Sequence, residues 1–289
     1  MYFEGVRTPA LLPQQRIDPE GDIPIDICIL IFLKKIRCEA PLQRETFPFS
    51  LSFIPSLTDR SIDQNILFFV GENGSGKSTL LEAIAMASRR INIGGTDLDR
   101  DGTLASIKPL ADSIRLGWNH QSRKGFFLRA EDFFGFVHRN QNLVKEFDGH
   151  IDRFRDDDRV RGYMEANQRA INAKYGRDLN DYSHGEGFLE FFKSRIVPGG
   201  LYLIDEPEAA FSPQRQLAFI LLIVEMAKQD CQFIIASHSP IILSAPNAQI
   251  WAFSEDGIEE TKYHELDHVT FTKSFLESPE RFWKQLLEE

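Results

Sequence analysis

Cysteine is scarce in this chain and shows no pairing pattern. Cys28, Cys38 and Cys231 are its three thiols in 289 residues, and none forms a Cys-x-x-Cys. A disulfide framework and a thiolate zinc site are therefore not expected, and a reducing compartment fits. Long apolar runs are missing too. The longest, ICILIFL (27–33) and LAFILLIV (217–224), fall far short of the roughly 20 residues of a membrane span. They read as a buried strand and a buried helix, and no direct membrane insertion is expected. The opening MYFEGVRTPALLPQQ carries an early Glu4 and no apolar segment, so a signal peptide is not expected and a cytoplasmic location is. Positive charge is in deficit: 33 Lys and Arg against 43 Asp and Glu give a net charge of −10. That excludes a globally basic nucleic-acid binder and leaves room only for a local basic patch. Repeats and low-complexity tracts are absent. Residues 91–181 hold no sustained heptads, which argues against a long coiled-coil arm.

What the chain does have is enough apolar mass for a sizeable core, 42% of residues, with 24 Phe that predict prominent aromatic packing. Residues 1–26 read as irregular, 26–36 as a strand, and FPFSLSFIPSL (47–57) as another with proline at its edges. NILFFV (65–70) is a short continuous apolar run of the kind a buried parallel strand needs. TLLEAIAMASRR (79–90) has helical spacing. Beyond it, 91–103 reads as loop, 124–147 as an aromatic helix and 147–179 as charged and helical. The α/β texture then returns: strands at 201–204 and 232–237 flank a helix at 214–229, and QIWAF (249–253) is a further strand.

The chemistry concentrates in GENGSGKST, residues 71–79, set between a predicted strand and a predicted helix. This is the G-x-x-x-x-G-K-[ST] phosphate loop in the context it requires. Gly71, Gly74 and Gly76 permit positive φ and close chain approach, so the amides of Glu72, Asn73 and Ser75 can turn inward onto phosphate oxygens. Lys77 can reach the β- and γ-phosphates and Ser78 can place its hydroxyl on Mg²⁺. Thr79 caps the helix or meets the α-phosphate.

Four further segments follow. LYLIDEPE (201–208) is an apolar strand ending in acids: Asp205 is placed to hold Mg²⁺ and Glu206 to orient or deprotonate a water. A plain surface turn is the alternative for such a sequence alone. QFIIASHSP (232–240) ends a strand at His238, which can hydrogen-bond a γ-phosphate or simply cap the turn. YSHGEGF (182–188) offers Ser183, Gly185 and Glu186 at a helix start, an anion site or an ordinary N-cap. In AAFSPQRQ (209–216), Ser212 and Pro213 read as a helix start.

Together these segments resemble the ATP-binding-cassette (ABC) ATPases. GENGSGKST is similar to Walker A, YSHGEG to the signature motif, LYLIDEPE to Walker B, AAFSP to the D-loop and ASHSP to the His switch, in that order over about residues 65–255. Three departures stand out. His184 replaces the first glycine of LSGGQ, Glu186 stands where transporters carry Gln, and the SALD wording of the D-loop is missing. The wording is closer to soluble RecF-, SMC- and OLD-like ATPases, among short stand-alone bacterial AAA/ABC proteins.

The resemblance implies an α/β P-loop NTPase fold of ABC type: a mostly parallel core sheet with flanking helices, an N-terminal antiparallel β subdomain and a helical lobe. It implies a single ATPase domain over 1–289, with the lobe at 91–181. It also implies ATP and Mg²⁺ as cofactors, Glu206 and His238 as catalytic residues, and a homodimer formed on ATP binding, with Ser183 of one copy against the γ-phosphate held by the other. A Q-loop glutamine is implied as well, and Gln121, 44 residues past Lys77, is the candidate metal sensor. An adenine-stacking aromatic would lie upstream, with Phe49 and Phe53 as candidates that fit a core equally well. Arg123, Lys124 and Arg129 form a small basic cluster that reads as a solvated face. Three functions compete: a soluble ATPase coupled to a nucleic-acid or defence process, with room for a protein partner; the nucleotide-binding subunit of a transporter; and a small-molecule P-loop kinase. SHGEG and His238 argue against the kinase, and Glu186 with the missing SALD argues against the transporter.

Overall fold

The structure, a computed structural model, describes residues 30–39, 45–93, 98, 102–132 and 184–287; for Thr103 and residues 184–187 it describes the backbone alone. Continuous apolar runs become the strands of a sheet covered on both faces. β3 (Ile66–Gly71), β4 (Ile91–Ile93), β6 (Phe126–Arg129), β7 (Leu201–Asp205), β8 (Gln232–Ala236), β9 (Gln249–Ser254) and β10 (Gly257–Thr261) pair in the order β10-β9-β3-β8-β7-β6-β4. All neighbours are parallel except β9 and β10, which form an antiparallel pair. Parallel strands must be buried on both sides, and every residue of β7 and β8 is.

Alternation along each strand divides the core in two. Ile66, Phe68, Tyr202, Ile204, Phe233 and Ile235 face one side; Leu67, Phe69, Leu201, Leu203 and Ile234 face the other. The second side receives α1 (Lys77–Ala87) and α2 (Lys108–Ser113), with Leu80, Leu81 and Ile84 fully buried. The first side receives α3 (His184–Arg195) and α4 (Pro213–Ala227). Phe188, Phe191 and Phe192, spaced to share one face of α3, stack with Phe126, Phe211 and Phe219. Six of the 24 phenylalanines thus seat this helix.

A second sheet is antiparallel: β1 (Leu33–Cys38) lies between β2 (Arg60–Ser61) and β5 (Ile114–Trp118). Gln232, fully buried, joins the two sheets. Its Oε1 accepts from the N–H of Phe32 and of Leu33, and its Nε2 donates to Leu33 O. After β8 come α5 (Pro240–Leu243), then, beyond β10, α6 (Asp267–Glu277) and α7 (Pro279–Leu287).

Three segments differ from the sequence reading. Residues 47–57 are turns ending in a 3-10 turn at Ile54–Ser56, not a strand; Pro55 removes a ladder donor and sits at the start of that turn. Within 124–147, Phe126–Arg129 is a strand between β4 and β7, and 133–147 lie outside the described residues. Of the stretch 91–181 expected as a lobe, β4, β5 and β6 are built into the two sheets and α2 packs on α1, while 133–183 lie outside the described residues.

Candidate functional site

Because β3, β8, β7 and β6 run parallel, their C-terminal ends share one edge. Phe69 pairs with Ala236, Ala236 with Asp205 and Asp205 with Arg129, a single row across four strands. The residues that follow this row include the glycine loop, Ser237 and His238, and Glu206. Segments as far apart in the chain as Gly71 and His238 therefore meet by topology, as ligand sites of open α/β sheets do.

The loop between β3 and α1 needs its glycines. Gly74 has φ of 84° and Gly76, the N-cap of α1, has φ of 95°. A Cβ on Gly76 would meet the ring of Phe53 at 2.4 Å. Phe53 is fully buried and edge-on to Phe253, so it supports the loop from below and is a core residue. Phe49, partly buried, packs against the same core. Thr79 falls inside the first turn of α1 and does not cap it.

Lys77 curls back on its own loop, with Nζ donating to Gly71 O and Glu72 O, both at 2.8 Å. Burial lowers its pKa, opposed by the charges of Glu206, Asp205 and Glu208. Ser78 Oγ donates to Asp205 Oδ1 at 3.1 Å. Desolvation pushes Asp205 up to about 7, against the pull of that hydrogen bond; Glu82 and Glu206 push the same way and Arg129 opposes. A buried carboxylate with so little compensating charge, paired with a hydroxyl oxygen, suits a hard cation. Mg²⁺ is typically held by one or two protein oxygens and completed by phosphates and water. Ser78 and Asp205 are the residues that would hold it.

Glu206 leaves β7 in the left-handed region, φ 48° and ψ 51°. Such a conformation costs a non-glycine residue about 1–3 kcal/mol and is characteristic of functional sites. Two backbone hydrogen bonds retain it: Glu206 N–H to Ala236 O at 2.9 Å and Ala209 N–H to Glu206 O at 3.1 Å. Its carboxylate stays half exposed, with Oε1 3.9 Å from His238 Nε2. Burial, and secondarily the charge of Lys77, lowers the His238 pKa, so the ring is neutral at pH 7. Its Nε2 is buried and has no hydrogen-bond partner among the described residues.

The sequence reading missed two features. Glu208 accepts from Ser237 Oγ at 3.0 Å and from His238 N–H at 2.5 Å, and burial raises its pKa. Arg129 is not part of a solvated basic face: it is buried and pairs with Glu82 of α1 at 2.5 Å. Of that expected cluster, Lys124 donates to Pro198 O at 2.9 Å and Arg123 is exposed. Only the place of Glu208 in DEPE hinted at the first, and nothing in the sequence pointed to the second.

Gln121 is not brought to the site. It precedes β6, and its neighbour Ser122 bonds Gly199 O before β7 begins, so it lies at the opposite edge of the sheet from Asp205. The residues after β6 on the site's edge are Ala130, Glu131 and Asp132. Gly185 and Glu186 lie in the first turn of α3, whose backbone begins at His184, and Ser183 lies outside the described residues.

A glycine-loop lysine, a hydroxyl–carboxylate pair and a strand-end acid at one edge of a parallel sheet form the arrangement of a P-loop site. Residues 111–244, a little under half of the chain, match the family described as "AAA domain, putative AbiEii toxin, Type IV TA system". Over that stretch the chain is similar to this AAA-domain family. No curated protein sequence matches it. Among solved structures it is similar to cbiO1 from Clostridium perfringens, part of the ABC transporter complex cbiONQ (17% identity, 89% of this chain and 99% of that one, TM-score 0.48). Others are the SMC head domain from Thermotoga maritima (16%, 80% and 99%, TM-score 0.40) and a nucleotide-free ATP-binding cassette from an ABC transporter (15%, 84% and 96%, TM-score 0.43). Likenesses at this level say nothing about activity.

Proposed function

We propose that the chain binds and hydrolyses ATP, and that ATP draws two copies into a head-to-tail pair. The supporting observation is the meeting of Lys77, Ser78, Asp205, Glu206 and His238 at one sheet edge, although they are spread over residues 77–238. In this reading the loop amides cradle the β- and γ-phosphates, and Lys77 exchanges its two carbonyl partners for phosphate oxygens. A Mg²⁺ ion at Ser78 and Asp205 would offset phosphate charge. Glu206 takes a proton from the attacking water as its oxygen bonds the γ-phosphorus and the bond to the β–γ bridging oxygen breaks, giving ADP and phosphate. His238 Nε2 donates to the γ-phosphate. Ser183, with Gly185 and Glu186 at the start of α3, closes over the nucleotide of the partner copy.

A hydrogen bond to such a charged group contributes about 1.5–3 kcal/mol. Two per pair shift association by a few powers of ten, at about 1.4 kcal/mol per tenfold. The family description names a toxin of a type IV toxin–antitoxin system, which favours a defence process as the coupled event. The net charge of −10 and the burial of Arg129 weigh against direct duplex binding. No helix among the described residues is long and apolar enough to cross a membrane, so a transporter role would need a separate membrane partner.

The test is Glu206→Gln with ATP and Mg²⁺ on a sizing column, beside phosphate release by the unaltered chain. The variant is expected to elute as a dimer with ATP and as a monomer without it. Lys77→Ala in the same background is expected to abolish the shift. A monomer at saturating ATP would remove the paired arrangement. Unchanged ATP affinity in Lys77→Ala would remove the phosphate cradle.

A further inference from the structure

We infer that Glu208 is a positioning residue whose carboxylate sets the Ser237–His238 turn and, through it, the direction of the His238 ring. The functional half of this inference rests on the ATPase reading; the structural half does not. Glu208 sits in the 3-10 turn Pro207–Ala210, two residues past Glu206. Two donors converge on it: the His238 N–H at 2.5 Å and Ser237 Oγ at 3.0 Å. Each donor meets its own oxygen, His238 N–H at Oε1 and Ser237 Oγ at Oε2, so a single carboxylate takes both.

The bracing continues beyond Glu208. Ser237 Oγ accepts from Ser239 N–H at 3.1 Å, and Ser239 Oγ donates to Gln216 Oε1 on α4. Gln216 Nε2 donates to Phe211 O at 3.2 Å. The turn that carries His238 is thus held on both sides by the segment following Glu206. The imidazole has no such support at Nε2, which lies 3.9 Å from Glu206 and makes no hydrogen bond among the described residues. The ring's aim therefore comes from its backbone, and Glu208 fixes that backbone.

Glutamine separates positioning from chemistry. In Glu208→Gln the amide oxygen keeps the His238 N–H, and the amide nitrogen donates to Ser237 Oγ, a hydroxyl that can accept. Alanine loses both contacts. The first measurement is hydrogen exchange of residues 237–239 in the nucleotide-free full chain. Glu208→Ala is expected to speed it at least about tenfold, and Glu208→Gln to leave it within about threefold. The second is ATP turnover. Glu208→Ala is expected to lower kcat about ten- to hundredfold with the KM for ATP within about twofold, and Glu208→Gln to restore most of it. In a His238→Ala background, Glu208→Ala is expected to have no further effect on kcat.

Unchanged exchange in Glu208→Ala overturns the brace. Glu208→Gln as impaired as Glu208→Ala, or full additivity with His238→Ala, overturns positioning in favour of a direct chemical role. No turnover by the unaltered chain, with exchange as expected, sinks the ATPase reading and leaves the brace standing.

Discussion

Asp205 shows what a single buried carboxylate costs an α/β site before any cation arrives. Desolvation, chiefly, pushes its pKa in the fold up to about 7 from the ordinary 3.8. The folded state therefore keeps the proton to higher pH than the unfolded chain. Stability from this group is complete below about pH 4 and is lost as pH rises through about 7. Asp205→Asn removes the charge while its Oδ1 still accepts from Ser78. In the absence of nucleotide and metal it is expected to raise stability by about 1–3 kcal/mol at pH 8 and to change little at pH 4. Urea midpoints at the two pH values check this, and an equal effect at both would show that ionisation is not the cause. That Lys77, Ser78, Asp205, Glu206 and His238 come together was legible: the first two stand in the glycine-loop pattern and the others at the ends of apolar runs, which a parallel sheet brings to one edge. Glu208 and the Glu82–Arg129 pair were not. An acid after Asp-Glu-Pro reads as a solvent-facing turn residue, and a buried ion pair between two elements leaves no mark in either local pattern.

Elements followed the same logic, with lapses at 47–57, at 126–129, at Ile91–Ile93, a strand in a stretch read as loop, and at β1, found at Leu33–Cys38 where 26–36 was expected. Strands 66–71, 201–205 and 232–236 and helices 77–87 and 213–227 carry continuous or helically spaced apolar residues, and they sit within a few residues of their expected bounds. FPFSLSFIPSL alternates like a strand, yet Phe47 is half exposed and Phe53 wholly buried, so the alternation serves a turn folded over the phosphate loop. FFLR, four residues between Gly125 and an acidic stretch, is too short for its period to be read, and tertiary pairing with β4 and β7 decides it. The joins between the two sheets were invisible because they are made by polar side chains such as Gln232 and Gln249, each at the head of a strand. Leucine at position 232 fills similar space and strands two backbone N–H groups and one carbonyl. Gln232→Leu is expected to destabilise the fold by about 2–5 kcal/mol. A urea denaturation series reads this directly, and a loss below about 1 kcal/mol would mean that β1 is held by its strand pairing and apolar contacts without need of Gln232.

At the scale of the whole molecule, parallel topology converts the order of motifs along the chain into one functional edge, and charge decides how two such edges approach. Each copy carries a net charge of −10, and bound triphosphate adds to it. Two like-charged bodies repel over distances that salt shortens to about 10 Å at 0.1 M. The proposed contacts between Ser183 and a partner's γ-phosphate would lie between the copies, away from bulk ions, and be screened far less. Salt should therefore weaken the opposition to pairing more than it weakens the contacts that favour it. For Glu206→Gln with saturating ATP and Mg²⁺, raising NaCl from about 20 to about 200 mM is expected to tighten the dimer at least about threefold. Sedimentation velocity over a concentration series at each salt measures the change. A dimer that loosens instead would mean that oppositely charged patches face each other across the pair, so that local complementarity, and not the summed charge, governs assembly.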